Sequence, residues 1–214
     1  MGKDCDHHHH SSCCGCSVCS DHSTLLTIAW VVGAFVLVVL LVVFITWLVL
    51  RPTKPIFYVR DATVYQFNLS LSDNILSTVL QATVSSHNPN SRIGVSYDRA
   101  SVYVTYQNQQ ITLPTSIPPL YQGHHDINVW SPYLYGASVP VAPSICGSLQ
   151  QDEAAGYLLL YLKIDGKVRW KVGTWTSGHY HLEVTCPAFF SFDSTSNGVA
   201  IVRFQRMSPC SVSV

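Results

Sequence analysis

Between Leu25 and Leu50 no side chain carries a charge, and that run limits what the chain can become more than any other feature. As an α-helix, about 26 residues at ~1.5 Å each reach roughly 39 Å, longer than the ~30 Å hydrocarbon core of a bilayer, so the run spans a membrane with some tilt. A buried core helix keeps a polar stripe, and this run has none. Trp30 and Trp47 lie toward its two ends, where indole favours the membrane interface. Asp21 and His22 close it on one side and Arg51-Pro52 on the other. The rival reading is a signal peptide, whose apolar region is ordinarily ~7–15 residues and leads to a small-residue cleavage site. Here Arg51-Pro52-Thr53-Lys54-Pro55 comes next instead. The run is read as a retained single-pass anchor, with the lipid bilayer as its partner over residues 25–50.

Beyond the anchor about 164 residues remain, enough for one domain with a substantial core. The formal net charge is zero and only 11% of residues are charged. That balance leaves no basic field for nucleic acid and lacks the acidic, aromatic-poor signature of disorder. The eight cysteines divide unevenly: Cys5, Cys13, Cys14, Cys16 and Cys19 precede the span, while Cys146, Cys186 and Cys210 come after it. Dense thiols beside a membrane suit a reducing compartment and lipidation, whereas sparse ones in a β-rich domain suit an oxidising space. Three downstream cysteines allow at most one internal pair, and the sequence leaves open which.

Residues 1–23 are polar, rich in Gly, Ser, Cys and His, and without apolar periodicity, as in a disordered cytosolic tail. Met1-Gly2 does not complete a myristoylation motif, because position 6 is Asp6. The histidines at 7–10 and the cysteines after them offer a single Cys-x-x-Cys spacing, Cys16 to Cys19. Structural zinc ordinarily needs two such ligand pairs on a foldable scaffold, so S-palmitoylation of Cys13, Cys14, Cys16 and Cys19 is preferred over metal binding. Orientation is contested. Lys3 stands before the span and Arg51, Lys54 and Arg60 after it, which by the positive-inside rule puts the large part in the cytosol. The cysteine distribution points the other way, as does the glycosylation acceptor Asn68-Leu69-Ser70. On residues alone the two orientations balance.

Pro52 and Pro55 end the helix and start a stiff stalk, placed at residues 51–60, ahead of a domain at 61–214. There the apolar period becomes two. Leu76, Leu80, Ala82 and Val84 share one parity, as do Val102, Val104 and Tyr106; Val168, Trp170 and Val172; and Tyr180, Leu182, Val184 and Cys186. This is the pattern of half-buried strands. Turn residues separate the runs at Asn88-Pro89-Asn90, Gln107-Asn108-Gln109, Asp165-Gly166-Lys167 and Thr176-Ser177-Gly178. Asp165-Gly166, joining 158–164 to 168–175, reads as the clearest hairpin. No convincing amphipathic helix succeeds the span, and the proline-rich segment 114–145 holds weaker strands. The class is all-β: an antiparallel β-sandwich preceded by one transmembrane α-helix.

No nucleophile elbow, phosphate-binding loop or zinc-protease motif is present in the sequence. His124-His125-Asp126 sits beside Gly123 among turn residues, and reads as a solvated loop rather than a base with its orienter. His179, His181 and Glu183 share one strand face at metal-ligand spacing. With Tyr180, Leu182 and Val184 on the other parity, that face reads as the wet side of an amphipathic strand. Arg169 and Lys171 project together and are placed to pair with Glu183 across a hairpin. The residues therefore support a membrane-tethered β domain that is not an enzyme, with no cofactor.

Several segments resemble the plant harpin-induced-like family, whose outer part is a late embryogenesis abundant group 2 domain. They are Arg51-Pro52-Thr53-Lys54-Pro55, Asp61-Ala62-Thr63-Val64, Asn88-Pro89-Asn90-Ser91-Arg92-Ile93-Gly94 with Tyr97-Asp98-Arg99, and Tyr121-Gln122-Gly123-His124 before Val129-Trp130. The strongest is Asp165-Gly166-Lys167-Val168-Arg169-Trp170-Lys171-Val172-Gly173-Thr174-Trp175, with Ser177-Gly178-His179-Tyr180-His181-Leu182 after it. The resemblance implies an immunoglobulin- or fibronectin-III-like sandwich and a single-pass plasma-membrane protein with its N-terminus cytosolic and its domain outside. It implies a role in plant defence or stress through an unidentified protein or cell-wall partner, without a known reaction. The alternative is a non-specific protective protein against dehydration. The matched Asn88, Pro89, Asn90, Asp165, Gly166, Arg169, Trp170 and Gly173 also read mechanically, as keepers of the fold. Pro89 sets a tight turn and Gly173 marks a bulge or a close backbone approach.

Overall fold

The computed structural model describes residues 18–49, 52–194 and 200–214, in two compact units, Met1–Arg51 and Pro52–Val214. In the first, helix α1 (Val18–Val49) covers 32 residues, and every side chain from 23 to 47 is exposed. Ser23–Trp47 is long and apolar enough to cross a membrane. Two of its threonine hydroxyls bond within the helix, Thr27 to the carbonyls of Ser23 and Thr24 and Thr46 to those of Val42 and Val43. That satisfies them without water. The helix begins at Val18, inside the segment read as tail, because no glycine or proline interrupts residues 18–23.

The second unit is one curled antiparallel sheet. Strands β1 (Ile56–Ser70) and β2 (Ile75–His87) form a long hairpin. Then come β3 (Gly94–Tyr106), β4 (Gln109–Gln110), β5 (Thr115–Ile117), β6 (Leu120–Gln122), β7 (Ile127–Trp130) and β8 (Tyr133–Pro140). Helix α2 (Pro143–Ala155) leads into β9 (Tyr157–Val172) and β10 (Trp175–Thr176). The chain ends with β11 (Tyr180–Ser194), β12 (Ala200–Phe204), β13 (Ser208–Pro209) and β14 (Ser211–Ser213). The main path runs β4-β3-β9-β11-β12-β1-β2-β7.

The alternating parities read from the sequence are the buried ones on β2, β3, β9 and β11, down to Leu76, Val104, Val168 and Val184, with half-buried Val172 and Tyr180, 48% exposed, as exceptions. Curling brings Val59, Ala62, Leu80 and Ala82 of β1 and β2 against Val104, Leu160, Leu162 and Phe190 of β3, β9 and β11. The gap left between them is about 10 Å³, the scale of one water or less, as in a close-packed core. Gln107 and Asn108 both adopt positive φ (46° and 68°), the type I′ geometry that turns β3 tightly into β4.

Three expectations about the elements are corrected: the turn, the stalk and the want of a second helix. Asp165-Gly166 is not a turn: β9 runs straight through it, with Asp165 opposite Ser101 and Glu183 and Gly166 opposite Ala100 and Leu182. A Cβ at Gly166 would lie 2.5 Å from the Arg99 carbonyl oxygen, so the glycine serves close strand approach, not reversal. The real reversal is at Gly173 (φ 57°), where β10 folds back to pair Trp175 with Val172. The stalk is shorter than 51–60, because β1 begins at Ile56 and buries Phe57 and Val59. A helix, α2, does succeed the span. It buries only Ile145, Cys146 and Leu149, too few for a visible stripe. Its punctuation, however, is legible: Pro143 in its first turn and Gly156 as a left-handed cap (φ 81°). The cysteine pair is Cys186–Cys210, with Cys146 free and buried.

Candidate interaction surface

Asn88, Pro89 and Asn90 come after β2, and the two asparagine side chains bond within the domain. The buried Asn88 amide donates to the Ile93 and Gly123 carbonyls, both at 2.8 Å. Its oxygen accepts from the Asn90 backbone N–H and side-chain amide. Asn90 in turn grips Thr53 at both ends: its amide donates to the Thr53 carbonyl at 2.7 Å and its oxygen accepts the Thr53 N–H at 2.8 Å. The two asparagines thus fasten residue 53, just beyond the apolar helix in the chain, onto the sheet, and no polar side-chain atom of theirs is left bare. Next to them lies a polar cluster invisible in the sequence pattern. Tyr97 donates to Gln122 at 2.9 Å and hydrogen-bonds the Ser86 hydroxyl at 2.8 Å, all three buried. Burial pushes the Tyr97 phenol above its ordinary range despite the Ser86 bond.

The outer face of β3, β9 and β11 carries the charged residues. The Arg169 guanidinium meets Asp98 through two bonds of 2.6 Å, the forked geometry that makes such pairs strong. The expected partner Glu183 is instead opposite Asp165 on β9 and Ser213 on β14. Asp98 reaches this place because the register shifts between Tyr97 and Arg99, and a bulge re-aims side chains. Chiefly through its bond with Arg169, the Asp98 carboxyl is held below the usual carboxylate range against an opposing push from burial. His179 Nε2 lies 3.3 Å from the same carboxylate, and His181 Nε2 lies 3.6 Å from Asp165. Each histidine therefore faces its own aspartate, and among the described residues no three His, Cys, Asp or Glu side chains gather as a metal site.

The remaining expected residues separate. Trp170 is buried, with Ser177 binding both its N–H and its carbonyl at 2.9 Å, which ends the strand pairing. Asn68 is exposed on β1. His125 occupies a turn with φ 53°, as expected of that loop. Cys19 lies in the first turn of α1, while Cys13, Cys14 and Cys16 fall outside the described residues. Sequence reasoning missed the bond from Tyr106 to Asp152 of α2 at 2.7 Å, which requires knowing that α2 exists.

Comparison with known proteins places the chain among relatives. Residues 83–186 match the family model described as "Late embryogenesis abundant protein". NDR1/HIN1-like protein 1 of Arabidopsis thaliana is 46% identical over 217 residues, covering 99% of this chain and all of that protein. NDR1/HIN1-like protein 12 of the same plant is 48% identical, covering 89% of this chain and 92% of its own. A solution structure of a putative late embryogenesis abundant protein is 20% identical, covering 90% of this chain and 98% of its own, at a TM-score of 0.33.

Proposed function

The chain belongs to the NDR1/HIN1-like proteins with a late embryogenesis abundant domain, and from that premise we propose a single-pass plasma-membrane protein whose β domain is an outward interaction module in plant stress and defence. The observation that carries the reading is α1, apolar on every side and exposed along residues 23–47. A surface of this length and composition suits a bilayer as its cover.

In this reading the N-terminus is cytosolic and the domain lies outside, as an immunoglobulin- or fibronectin-III-like module that binds and does not catalyse. The Cys186–Cys210 disulfide supports that side, because disulfides persist in oxidising spaces. The exposed acceptor Asn68 agrees with it. Cys13, Cys14, Cys16 and Cys19 are then the thiols available to cytosolic S-acylation.

Alkaline carbonate leaves an anchored chain in the membrane pellet. Protease added to intact cells removes the domain and spares an N-terminal epitope, and Asn68→Gln abolishes a glycosidase-sensitive mass. Release by carbonate overturns the anchor; a domain untouched by outside protease overturns the orientation.

A further inference from the structure

On the outer face, Arg99 of β3 stands directly opposite Lys167 of β9, and Lys167 directly opposite His181 of β11. All three are exposed. Two cations opposed across neighbouring strands destabilise a sheet unless an anion lies between them. The nearby acids do not fill that role: Asp98 is held by Arg169 at 2.6 Å, and Asp165 faces His181 at 3.6 Å. Among the described residues neither Arg99 nor Lys167 forms an ion pair. Both line an open groove of about 510 Å³ whose acids are those same two aspartates, each facing another cation or histidine, with Ser101, Ser116, Ile117 and Pro119 on its walls. The shift in register that delivers Asp98 to Arg169 also places Arg99 at this groove.

We propose that the groove binds an acidic oligosaccharide, with a uronate carboxylate seated between Arg99 and Lys167. The guanidinium fork matches a carboxylate bidentately, and the ammonium adds a second charge. Ser101 and Ser116 offer hydroxyls to the sugar hydroxyls, while Ile117 and Pro119 give the apolar face of a ring a dry wall. The groove is open, so a linear chain passes through it. No Phe, Tyr or Trp ring lines it, which denies nucleic acid the broad rings on which bases usually stack. The proposal rests on the domain being a binding module, and not on which side of the membrane it faces.

The test is calorimetric titration of the full-length chain in neutral-lipid nanodiscs, where both faces meet the same buffer and orientation drops out. Linear oligogalacturonate binds, and a neutral oligosaccharide of equal length does not. The Arg99→Gln, Lys167→Gln double variant weakens binding roughly tenfold or more, because both charged contacts to one carboxylate are lost. Lys171→Gln, which alters a cation outside the groove beside the Tyr121 ring, leaves binding unchanged. The double variant also melts no lower than the parent, since a like-charge pair is removed. Lys167→Arg keeps the charge and keeps binding. The proposal is overturned by silence with oligogalacturonate, by undiminished binding in the double variant, or by loss of binding in Lys167→Arg. Equal affinity for polyglutamate, duplex DNA or anionic vesicles overturns it as well.

Discussion

Asn88 uses both ends of its amide inside the domain, on two carbonyls and two N–H groups. Truncation takes a partner from each of those four groups, leaving the Asn90 amide only its bond to Thr53, where water has little access because Asn88 is fully buried. Asn88→Ala is therefore expected to lower unfolding stability by about 3 kcal/mol, measured by urea denaturation. A loss within the range of ordinary surface changes overturns this account of the asparagine pair. Arg169 acts differently, through charge on a partly exposed surface. The Asp98 carboxyl lies below its unfolded value, so the pair contributes stability that is complete above about pH 4 and disappears as acid protonates the folded carboxylate. Arg169→Gln is expected to destabilise at neutral pH and to flatten the fall in melting temperature below about pH 4. An unchanged acid limb in that variant excludes the mechanism. Asn88 and Arg169 were both legible as motif residues. Their partners were not, because Ile93, Gly123 and Asp98 come close only through a loop and a register shift.

At the scale of elements, β9 is the instructive case. Asp-Gly between two alternating apolar runs is a strong hairpin signal locally. In the fold, neighbours on both sides bond to β9 through those residues, and the sheet ladder outweighs the local turn preference. The glycine then serves a different purpose, since Arg99 and Ala100 crowd the space a side chain would need. Gly166→Ala is expected to cost roughly 2 kcal/mol through a forced shift of β3, and to disturb the groove that Arg99 lines. A substitution tolerated without change in thermal unfolding argues that the strands have room after all. The strands whose parity was legible are those with one face in the core. Helix α2 stayed hidden because it buries a single narrow row of side chains, and a weak stripe carries no readable period.

For the whole molecule, the late strands are held by one covalent tie. Cys186 lies on β11 and Cys210 between β13 and β14, 24 positions apart in the chain. The Cys210 N–H also donates to the Phe57 carbonyl at 3.0 Å, which joins the C-terminal segment to β1. Closing a loop of this length removes unfolded-state freedom worth roughly 3 kcal/mol. Reduction with dithiothreitol is expected to lower the urea midpoint by the matching amount, and a Cys186→Ala variant insensitive to the reductant completes the measurement. No shift on reduction means that the strands hold the C-terminal segment without the bridge.

The amino-acid sequence by itself determined the apolar helix, the β class of the domain beyond it and the faces that turn inward, because each depends on composition and short period along the chain. Burial of apolar side chains needs only that local record to be read. The Asp98–Arg169 pair, the asparagine grip on Thr53, the choice of Cys186 and Cys210, and the opposed cations Arg99 and Lys167 were decided by the tertiary structure alone. Each joins residues distant in sequence through strand register and sheet curl, which are settled only when the whole domain packs.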